Sequence, residues 1–281
     1  MNDIVQAMAN ESHRRISIRE GDYKKDGIWY CGICHTPKQY NRQAGEIWIN
    51  AMCLCKCQRE AYDREEAAWR KKSEEKEITR KKISCFPAAA MTNWTFENDD
   101  RARPVVSDMC ARYCDSFGEA LKDGTGILFY GGVGTGKSYY AACIANRLIE
   151  DGYTVRFDNA RGYADKAFED KEDFLDTISG ADLLILDDLG MERTTDYMRE
   201  TVFQILDKRC QSGKPIIVTT NLTNDQLKAP RSVDEDRVFS RLLESTVPIL
   251  MKGEDRRRAA GKNKTKEWRE KLLGGKENVL Q

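Results

Sequence analysis

The sequence predicts an α/β fold built around a parallel β-sheet. Five short apolar runs lie in its carboxy-terminal part, at residues 126–130, 154–157, 183–186, 215–219 and 247–251. Segments of helical length separate them, at residues 138–151, 161–179, 195–212 and 234–245. Strands that alternate with helices indicate βα units. The third and fourth runs are apolar almost throughout, which is typical of strands covered on both faces.

Composition narrows the class of protein. The chain has 281 residues, 40% of them hydrophobic, which suits one large domain or two smaller ones. No run of about 18 apolar residues occurs, so we expect no membrane-spanning helix. Residues 1–20 are polar with scattered charges, which predicts no signal peptide and a cytoplasmic location. The 46 basic residues balance 46 acidic ones, so the net charge says little about partners.

Four segments follow one another along the chain. These are a cysteine-bearing domain at residues 1–57, a helical linker at 58–92, an α/β domain at 93–258 and a basic tail at 259–281. The stretch 58–83 is rich in helix formers and very highly charged, which predicts a solvated connecting helix. Pro87 then breaks the helix, so we place the domain boundary near residues 84–92.

A glycine-rich sequence lies between the first predicted strand and a predicted helix. It satisfies the pattern G-x-x-x-x-G-K-[ST] with Gly131, Gly132, Val133, Gly134, Thr135, Gly136, Lys137 and Ser138, followed by Tyr139. Such a loop turns backbone N–H groups towards phosphate oxygens, and the helix amino terminus adds its positive dipole end. Lys137 would reach the β- and γ-phosphates, and Ser138 would bind Mg²⁺. The sequence therefore predicts a site for ATP and magnesium.

Two other strand ends carry polar groups that suit ATP hydrolysis. Asp187 and Asp188 close the third apolar run. Asp187 would hold Mg²⁺, while Asp188 occupies the place of the acid that orients or deprotonates the attacking water. Asn221 ends the fourth run, where a neutral amide can position that water, although asparagine also ends strands in ordinary turns.

Taken together, these residues resemble the AAA+ branch of the P-loop ATPases, and within it the DnaC/DnaI-type helicase loaders, most closely phage-encoded members. The resemblance covers roughly residues 93–258 and is carried by Tyr130–Ser138, Leu184–Gly190, Glu192–Thr195 and Lys214–Leu222. The sister family of IstB-type transposition ATPases shares this core. The resemblance implies ATPase activity and a parallel sheet in the strand order 5-1-4-3-2, flanked by helices.

The resemblance also implies roles for a neutral amide and several arginines. Asn221 falls at the sensor-1 position. Arg241 is the first candidate for an arginine that reaches a neighbouring subunit's nucleotide, and Arg237 is the second. Arg257 takes the sensor-2 position at the nucleotide. The register stays open there, because two further arginines flank it, Arg256 and Arg258.

Five of the ten cysteines fall within 27 residues, which points to a metal site in a chain without a secretion signal. Cys31 and Cys34 form a Cys-x-x-Cys zinc knuckle. Resemblance to loaders with an amino-terminal zinc domain favours Cys55 and Cys57 as the second pair. Cys53 would then be spare, and an alternative ligand is His35. Four thiolates leave no open position, so we expect a structural zinc ion.

The resemblance finally implies partners. The amino-terminal domain docks onto a hexameric replicative helicase of the DnaB type, and the ATPase core self-associates with ATP and binds single-stranded DNA. Candidate DNA contacts are Asn159, Arg161, Tyr163, Lys166 and Phe168, or the basic tail 256–266. The leading hypothesis is an ATP-dependent helicase loader in DNA replication. The alternatives are an IstB-like transposition ATPase that remodels target DNA, which the zinc domain disfavours, and a nucleotide-gated helicase adaptor with little hydrolysis.

Overall fold

The computed structural model describes residues 18–44, 47–167, 171–190, 196–227 and 233–273. The chain forms two compact units, Met1–Glu77 and Ile78–Gln281. Their division falls inside one long helix, α1 (Lys56–Cys85). The four predicted segments and their boundaries stay predictions. Within the described part of the chain, no helix is both long and apolar enough to cross a membrane.

The first unit contains two short antiparallel strand pairs. Its strands are β1 (Tyr23–Lys25), β2 (Ile28–Tyr30), β3 (Gln39–Ala44) and β4 (Ile47–Met52). β1 pairs with β2, and β3 pairs with β4. Asp26 and Gly27 connect β1 to β2 with φ angles of 50° and 82°, as a tight hairpin turn requires. The first cysteine pair begins directly after β2 in the chain.

Helix α1 confirms the predicted connecting helix and extends it by two residues at each end. It has 30 residues and is therefore about 45 Å long at about 1.5 Å per residue. Its surface is polar, and even its large apolar side chains are mostly in solvent: Trp69 is 66% exposed and Ile83 is 64% exposed. A helix with this surface is held by its own backbone hydrogen bonds and charge pairs more than by packing.

The second unit is a five-stranded parallel sheet flanked by helices. Its strands are β5 (Gly126–Tyr130), β6 (Val155–Asn159), β7 (Leu183–Leu189), β8 (Ile216–Thr220) and β9 (Thr246–Leu250). They lie side by side in the order β6-β7-β8-β5-β9, and every pairing is parallel. Numbered from β5, this is the order 5-1-4-3-2 read from the other edge. The predicted fold class is confirmed.

The helices of the second unit connect these strands and cover both faces of the sheet. They are α2 (Pro104–Asp115), α3 (Phe117–Asp123), α4 (Lys137–Glu150), α5 (Ala160–Ala167), α6 (Lys171–Gly180), α7 (Asp196–Gln211), α8 (Asn224–Leu227), α9 (Val233–Ser245) and α10 (Arg256–Leu273). A short 3₁₀ turn at Ala89–Asn93 precedes them. The last helix, α10, lies largely beyond the residues assigned to the α/β domain.

One predicted helix is described in two parts. In the segment 161–179 the described residues are helical, as α5 and α6, and residues 168–170 lie outside the described residues. Tyr163 on α5 is buried, and its hydroxyl donates a hydrogen bond to the Ile185 carbonyl of β7.

Alternate side chains of the central strands feed two separate apolar cores. On one face of β5, Ile127 and Phe129 pack with buried side chains of α3 and α4, chiefly Phe117, Tyr140, Ile144 and Leu148. On the other face, Leu128 packs with β7, β8 and α7 through Leu184, Leu186, Val218, Ile205 and Leu206. Burial on both faces explains why the central strands read as continuous apolar runs.

A buried arginine connects the segments that precede strands β7 and β8. Arg209, on α7, is 1% exposed. Its guanidinium donates hydrogen bonds to backbone carbonyls before β7 and before β8, namely those of Ile178, Ser179, Ala181, Asp182 and Pro215. Burial lowers the pKa of Arg209 to about 10. The side chain supplies donors to carbonyl groups in the turns before β7 and β8, of which the Pro215 carbonyl also accepts the Leu184 N–H.

Replacing Arg209 with methionine should destabilise the second unit by about 3 kcal/mol or more, because several buried carbonyls lose their donor together. Urea unfolding of Arg209→Met against the wild-type chain measures this change. Lys208→Met is the matched control, since Lys208 is 46% exposed and only pairs with Asp176 at the surface. Equal stability of the two variants would contradict the role given to Arg209.

Candidate functional site

The glycine-rich loop lies between β5 and α4, at the carboxyl end of the sheet. Gly134 has a φ of 72°, and a Cβ atom there would collide with the side chain of Asp255. Gly136 caps α4 with a φ of 96°. Glycine is therefore required at both positions. The first turn of α4 leaves its backbone N–H groups open towards the loop, which is the arrangement that binds phosphate.

Lys137 lies inside this loop. Its Nζ atom donates hydrogen bonds to the carbonyl oxygens of Gly131 and Gly132, at 2.9 and 2.7 Å. A third bond of 2.6 Å runs to Oδ1 of Asn221, on the strand end next to the loop. Burial lowers the pKa of the lysine, and the nearby Asp188 and Asp187 oppose that shift. The structure thus joins the predicted phosphate-binding lysine directly to the predicted water-positioning amide.

Asp187 lies near the carboxyl end of β7 and is 9% exposed. Its Oδ1 atom accepts a hydrogen bond of 2.5 Å from the Thr219 hydroxyl. Burial raises the pKa of Asp187, while hydrogen bonds from Thr219 and Ser138 act in the opposite direction. The two predicted magnesium ligands, Ser138 and Asp187, are therefore hydrogen-bond neighbours. A carboxylate and a hydroxyl oxygen are donors that suit Mg²⁺, so these residues fit the ion.

Asp188 has an unusual backbone. Its φ angle is 55°, in the left-handed region, and the pairing of β7 with β8 shifts register between Leu186 and Leu189. The Asp188 N–H donates a 2.9 Å hydrogen bond to the Thr219 hydroxyl. This bulge makes Asp188 face the nucleotide cavity, whereas Asp187 stays buried beside Ser138. Asp tolerates a left-handed conformation better than most residues, and such strain concentrates at functional sites.

Thr219 was not singled out from the sequence, yet it holds both acids. Its hydroxyl donates to Asp187 and accepts from the Asp188 N–H. The next residue, Thr220, works in the same way, since its hydroxyl donates to the Leu189 carbonyl at 2.7 Å. The Thr-Thr pair before Asn221 is the signal that could have revealed this role. It marks a strand end whose side chains bind the neighbouring strand end.

The loop opens into a cavity of about 470 Å³, within the range of small-ligand pockets. Its lining includes Val133–Tyr139, Asp188 and Asn221, as well as three residues that precede α2: Trp94, Asn98 and Asp100. The rings of Trp94 and Tyr139 lie 5.9 Å apart, and the Tyr139 hydroxyl donates to the Thr95 carbonyl. Sequence reasoning missed Trp94, Asn98 and Asp100. No sequence motif marks these three residues, although a tryptophan stands at the start of the predicted α/β domain.

The comparisons with known proteins agree with this geometry. The family model "IstB-like ATP binding protein" matches residues 56–261, which is most of the chain. The chain belongs to the IstB-like ATP-binding family. The match begins at the start of α1 and therefore leaves the first cysteine pair outside it. The chain accordingly carries a nucleotide-binding P-loop core of the IstB-like kind.

Individual relatives of this IstB-like chain include helicase loaders. The replicative helicase loader DnaI of Bacillus subtilis is 29% identical over 184 residues, which cover 58% of this chain and 58% of that protein. The uncharacterised protein YdaV of Escherichia coli is 34% identical over 116 residues, covering 39% of this chain and 47% of YdaV. The chain thus spans about half the length of these curated relatives. The resemblance to the loader family is confirmed.

A solved structure shows the same fold. The crystal structure of DnaI superposes with a TM-score of 0.50 and 21% sequence identity, covering 61% of this chain and 95% of that one. At this identity the superposition concerns the fold alone. It agrees with the fold of the second unit, a parallel sheet flanked by helices.

Three consecutive arginines begin α10, and two of them line the nucleotide cavity. Arg256 forms an ion pair with Asp100, and its N–H donates a 3.0 Å bond to the Gly134 carbonyl. Arg257 also lines the cavity, and its charge helps to lower the pKa of Lys137 after the larger effect of burial. The Arg258 side chain is 86% exposed. The sensor-2 role of Arg257 stays a prediction, and the geometry leaves Arg256 as its rival.

The predicted trans-acting arginine does not lie at this cavity. Arg241, on α9, pairs with Asp207 of α7. It lines a separate open cleft together with Gly124 and Lys214, which precede β5 and β8 and so lie near the opposite edge of the sheet. Arg237 is exposed one turn earlier on the same helix. Neither side chain lines the nucleotide cavity of its own chain, as a residue meant for a neighbouring subunit requires.

Four cysteines of the first unit converge on one point. The sulfur atoms of Cys31, Cys34, Cys55 and Cys57 all lie within 4.8 Å of one another. The separations are 3.7 Å from Cys31 to Cys57 and 3.4 Å from Cys55 to Cys57. A tetrahedral zinc ion with Zn–S bonds of about 2.3 Å requires sulfur atoms about 3.8 Å apart. The donor set and its spacing therefore fit zinc.

The two other candidate ligands lie elsewhere. The Cys53 sulfur faces the Pro37 carbonyl at 3.7 Å. The His35 ring stacks beside Tyr23, and its Nδ1 atom lies 3.4 Å from the tyrosine hydroxyl. Neither belongs to the four-sulfur group. The i, i+2 pair is not in a strand: Cys55 precedes α1 and Cys57 lies in its first turn, so both sulfur atoms can face one point.

Close contacts among these thiols shift their pKa values in opposite directions. The Thr36 hydroxyl, which hydrogen-bonds the sulfur, lowers the pKa of Cys34 to about 5. The neighbouring Cys55 sulfur raises the pKa of Cys57 to about 12. Four thiols this close cannot all ionise without a compensating positive charge. A zinc ion supplies that charge, and binding deprotonates the remaining thiols.

Polar contacts hold the knuckle in shape. Asp22 accepts hydrogen bonds from the N–H groups of Arg19 and Gly32, at 2.7 and 3.1 Å. It also pairs with the fully buried Lys38. The backbone bond from Arg19 and the bond from Lys38 lower the pKa of Asp22 to about 2. Among the side chains that the structure describes in this unit, no large aliphatic or aromatic one is buried. A fold with so little apolar core depends on other cross-links.

One member of the first set of predicted DNA contacts is buried. Tyr163 is 2% exposed, so it cannot stack on a base. Lys166 pairs with the buried Asp158 carboxylate at 2.7 Å. Arg161 is exposed, and Phe168 lies outside the described residues. The prediction is wrong for Tyr163, because the apolar face of α5 packs on β7 and the aromatic ring belongs to that face.

Replacing Thr219 with valine should weaken Mg²⁺-dependent ATP binding by about ten-fold, because Asp187 loses a hydrogen bond to its charged form. Calorimetric titration of ATP with and without Mg²⁺ measures the effect. Thr219→Ser keeps the hydroxyl and should bind like the wild type. Thr220→Val is the matched control, since it removes a hydroxyl that contacts Leu189 instead. Unchanged Mg²⁺-dependent binding in Thr219→Val would show that Thr219 does not position the acid.

Replacing Cys31 with serine should abolish stoichiometric zinc binding, because three thiolates no longer close the tetrahedron. Elemental analysis of purified protein measures zinc per chain. Cys53→Ser is the control and should retain one equivalent, since its sulfur lies outside the group. A full equivalent of zinc in Cys31→Ser would exclude this ligand set.

Proposed function

We propose that the chain is an ATP-dependent loader, which binds a hexameric replicative helicase of the DnaB type and delivers it onto single-stranded DNA. The observation that carries the proposal is the assembled nucleotide site. Lys137, Asn221 and the two acids of β7 meet at one edge of the sheet, beside a cavity that suits a nucleotide. The loader relatives, named as such, supply the biological setting.

The residues support hydrolysis of ATP with distinct tasks. The N–H groups of the phosphate loop and Lys137 would hold the β- and γ-phosphates, and Ser138 with Asp187 would hold Mg²⁺, which neutralises charge on the phosphates. Asp188 and Asn221 would orient the attacking water. Its oxygen bonds to the γ-phosphorus as the bond to the bridging oxygen breaks, and Asp188 would accept the proton.

Assembly would control the reaction. Arg241 does not line the nucleotide cavity of its own chain, so in this proposal it would act on the nucleotide of another copy. An arginine supplied in trans stabilises the charge of the transition state. Hydrolysis would then follow ATP-dependent self-association, and the loss of the γ-phosphate would release the loader from the helicase.

The four-cysteine unit would provide the docking module. Zinc in this unit is structural, because four thiolates fill its coordination sphere. The zinc ion would hold the knuckle and the start of α1 together in one fixed shape. In the loader proposal that shape binds the helicase, while the second unit binds nucleotide and DNA.

A transposition ATPase is the second candidate, favoured by the IstB-like family match itself. Such a protein would bind and remodel duplex target DNA without any helicase. ATP-dependent retention of duplex DNA, together with no binding of a replicative helicase, would support it. A nucleotide-gated adaptor is the third possibility, and a turnover assay with helicase and single-stranded DNA separates it from a loader, because an adaptor would release almost no phosphate.

Replacing Lys137 with alanine should abolish ATP-dependent co-elution with the replicative helicase, because the phosphates lose their principal cation. Gel filtration of the mixture with and without ATP measures the complex. Lys122→Ala is the control, since this lysine is exposed on α3 and should leave co-elution unchanged. Persistent ATP-dependent co-elution of Lys137→Ala would refute the proposed ATP switch.

A further inference from the structure

The residues that line the nucleotide cavity fall into two chemical groups. Lys137, Asn221 and Asp188 form the first group, which suits phosphates and Mg²⁺. The second group includes Trp94 and Asn98, which precede α2 and have no part in holding phosphates. When the phosphates of a nucleotide occupy the loop, its base has to lie either against the second group or in solvent.

The second group contains a fixed aromatic surface. Trp94 is partly buried and packs against the apolar core, and its ring centre lies 5.9 Å from that of Tyr139. Tyr139 is itself held in place, because its hydroxyl donates to the Thr95 carbonyl and its ring packs edge-on against Tyr140. A flat ring that lines an open cavity and cannot turn freely is a surface on which a base can stack.

Asn98 adds a hydrogen-bonding group whose orientation is set by its neighbours. Its Nδ2 atom donates to the Asn93 carbonyl at 3.0 Å, and its backbone N–H donates to the Thr95 hydroxyl at 3.4 Å. Because a carbonyl oxygen only accepts, the nitrogen of the amide must face Asn93, which leaves Oδ1 as an acceptor for a ligand. Adenine carries a 6-amino donor where guanine carries the acceptor O6, so an amide oxygen can tell the two bases apart.

The helix that follows the phosphate loop, α4, holds this segment in position. Asn146 of α4 is 1% exposed, and its Nδ2 atom donates to the carbonyl oxygens of Met91 and Trp94, each at 2.9 Å. At the other end of the segment, Asp100 pairs with Arg256. Residues 94–100 are therefore fixed to the same helix that would hold the phosphates, so a base site here is formed before the ligand binds.

We propose that residues 94–100 read the base of the bound nucleotide: Trp94 stacks on a purine, and Oδ1 of Asn98 accepts a hydrogen bond from the 6-amino group of adenine. The cavity then selects ATP over GTP. The proposal deepens the proposed function, on which it rests for the position of the triphosphate. A site that leaves the base in solvent would bind ATP, GTP and bare triphosphate alike.

Calorimetric titration of the full chain with ATP, GTP and inorganic triphosphate, all with Mg²⁺, tests the role of Asn98. The wild type should bind ATP about ten-fold more tightly than GTP. Asn98→Ala should bind ATP about five-fold more weakly and lose most of this preference, because the acceptor is gone. Inorganic triphosphate has no base, so Asn98→Ala should bind it like the wild type.

Asn93→Ala is the matched control. Asn93 is exposed, lies five residues before Asn98 and contacts it through its backbone carbonyl, which the variant keeps. All three affinities should equal those of the wild type. Wild-type ATP affinity and wild-type ATP preference in Asn98→Ala would overturn the role of Asn98.

A chemical probe identifies the atom that Asn98 contacts. Purine riboside triphosphate differs from ATP only in lacking the 6-amino group, so the wild type should bind it about five-fold more weakly than ATP. Asn98→Ala should bind the two nucleotides equally, because both changes remove the same hydrogen bond. An equal loss in the wild type and in Asn98→Ala would show that the 6-amino group contacts another residue, and would refute the assignment.

The aromatic ring has a different signature. Trp94→Leu keeps an apolar side chain at the core but removes the flat ring, so ATP and GTP should both bind about ten-fold more weakly. Trp94→Phe should recover most of this loss. Binding of inorganic triphosphate should stay at the wild-type value in both variants, which also shows that the phosphate loop is folded. Wild-type affinity of Trp94→Leu for both nucleotides would exclude stacking on Trp94.

Helicase co-elution on the same samples separates this proposal from the proposed function. A helicase complex that forms with ATP but not with GTP at equal concentration supports both. A complex that forms equally with ATP and GTP, together with equal affinities for the two nucleotides, would retain the loader and refute the base site. Preferential binding of ATP without any helicase complex would retain the base site and remove the loader.

Discussion

A single hydroxyl group bridges the two strand ends on which the nucleotide site depends. Thr219 donates to the Asp187 carboxylate and accepts from the Asp188 N–H, so one side chain fixes both acids. Two residues further along the chain, Asn221 accepts a hydrogen bond from Lys137. Three groups that must meet a nucleotide are therefore positioned by one strand end of β8. This arrangement follows from the parallel sheet, in which the carboxyl ends of all strands lie at the same edge.

The local motifs predicted much of this arrangement. The phosphate loop and the five apolar runs are short-range patterns, and each of the runs corresponds to a strand in the structure. Long-range contacts were not predictable in the same way. Trp94 and Asp100 reach the cavity only because the chain before α2 folds back onto the loop. Tyr163 is an aromatic residue among basic ones, as in many DNA-binding segments, but tertiary packing buries it. Sequence periodicity alone does not show which neighbouring element covers a given face of a helix.

The two units are stabilised by different means. The second unit has apolar cores on both faces of its sheet, and a buried arginine donates hydrogen bonds to the turns that precede its strands. In the described part of the first unit, the buried side chains are cysteines and polar groups, namely Cys31, Cys55, Lys38 and Gln58. With zinc in the four-sulfur group, a unit of that kind would fold around the metal, and its free energy of folding would be largely that of metal binding. Chelation should therefore affect the first unit long before the second.

The hydrogen bond from the Arg256 N–H to the Gly134 carbonyl has a thermodynamic consequence. It joins the phosphate loop to a helix that starts about 120 residues later in the chain. A ligand that displaces this loop would act on the start of α10 through that bond, and a ligand that displaces the start of α10 would act on the loop. By linkage, whatever factor a nucleotide applies to the affinity of a ligand on α10, that ligand must apply to the affinity of the nucleotide. The contact supplies the physical connection through which the two binding equilibria would be coupled.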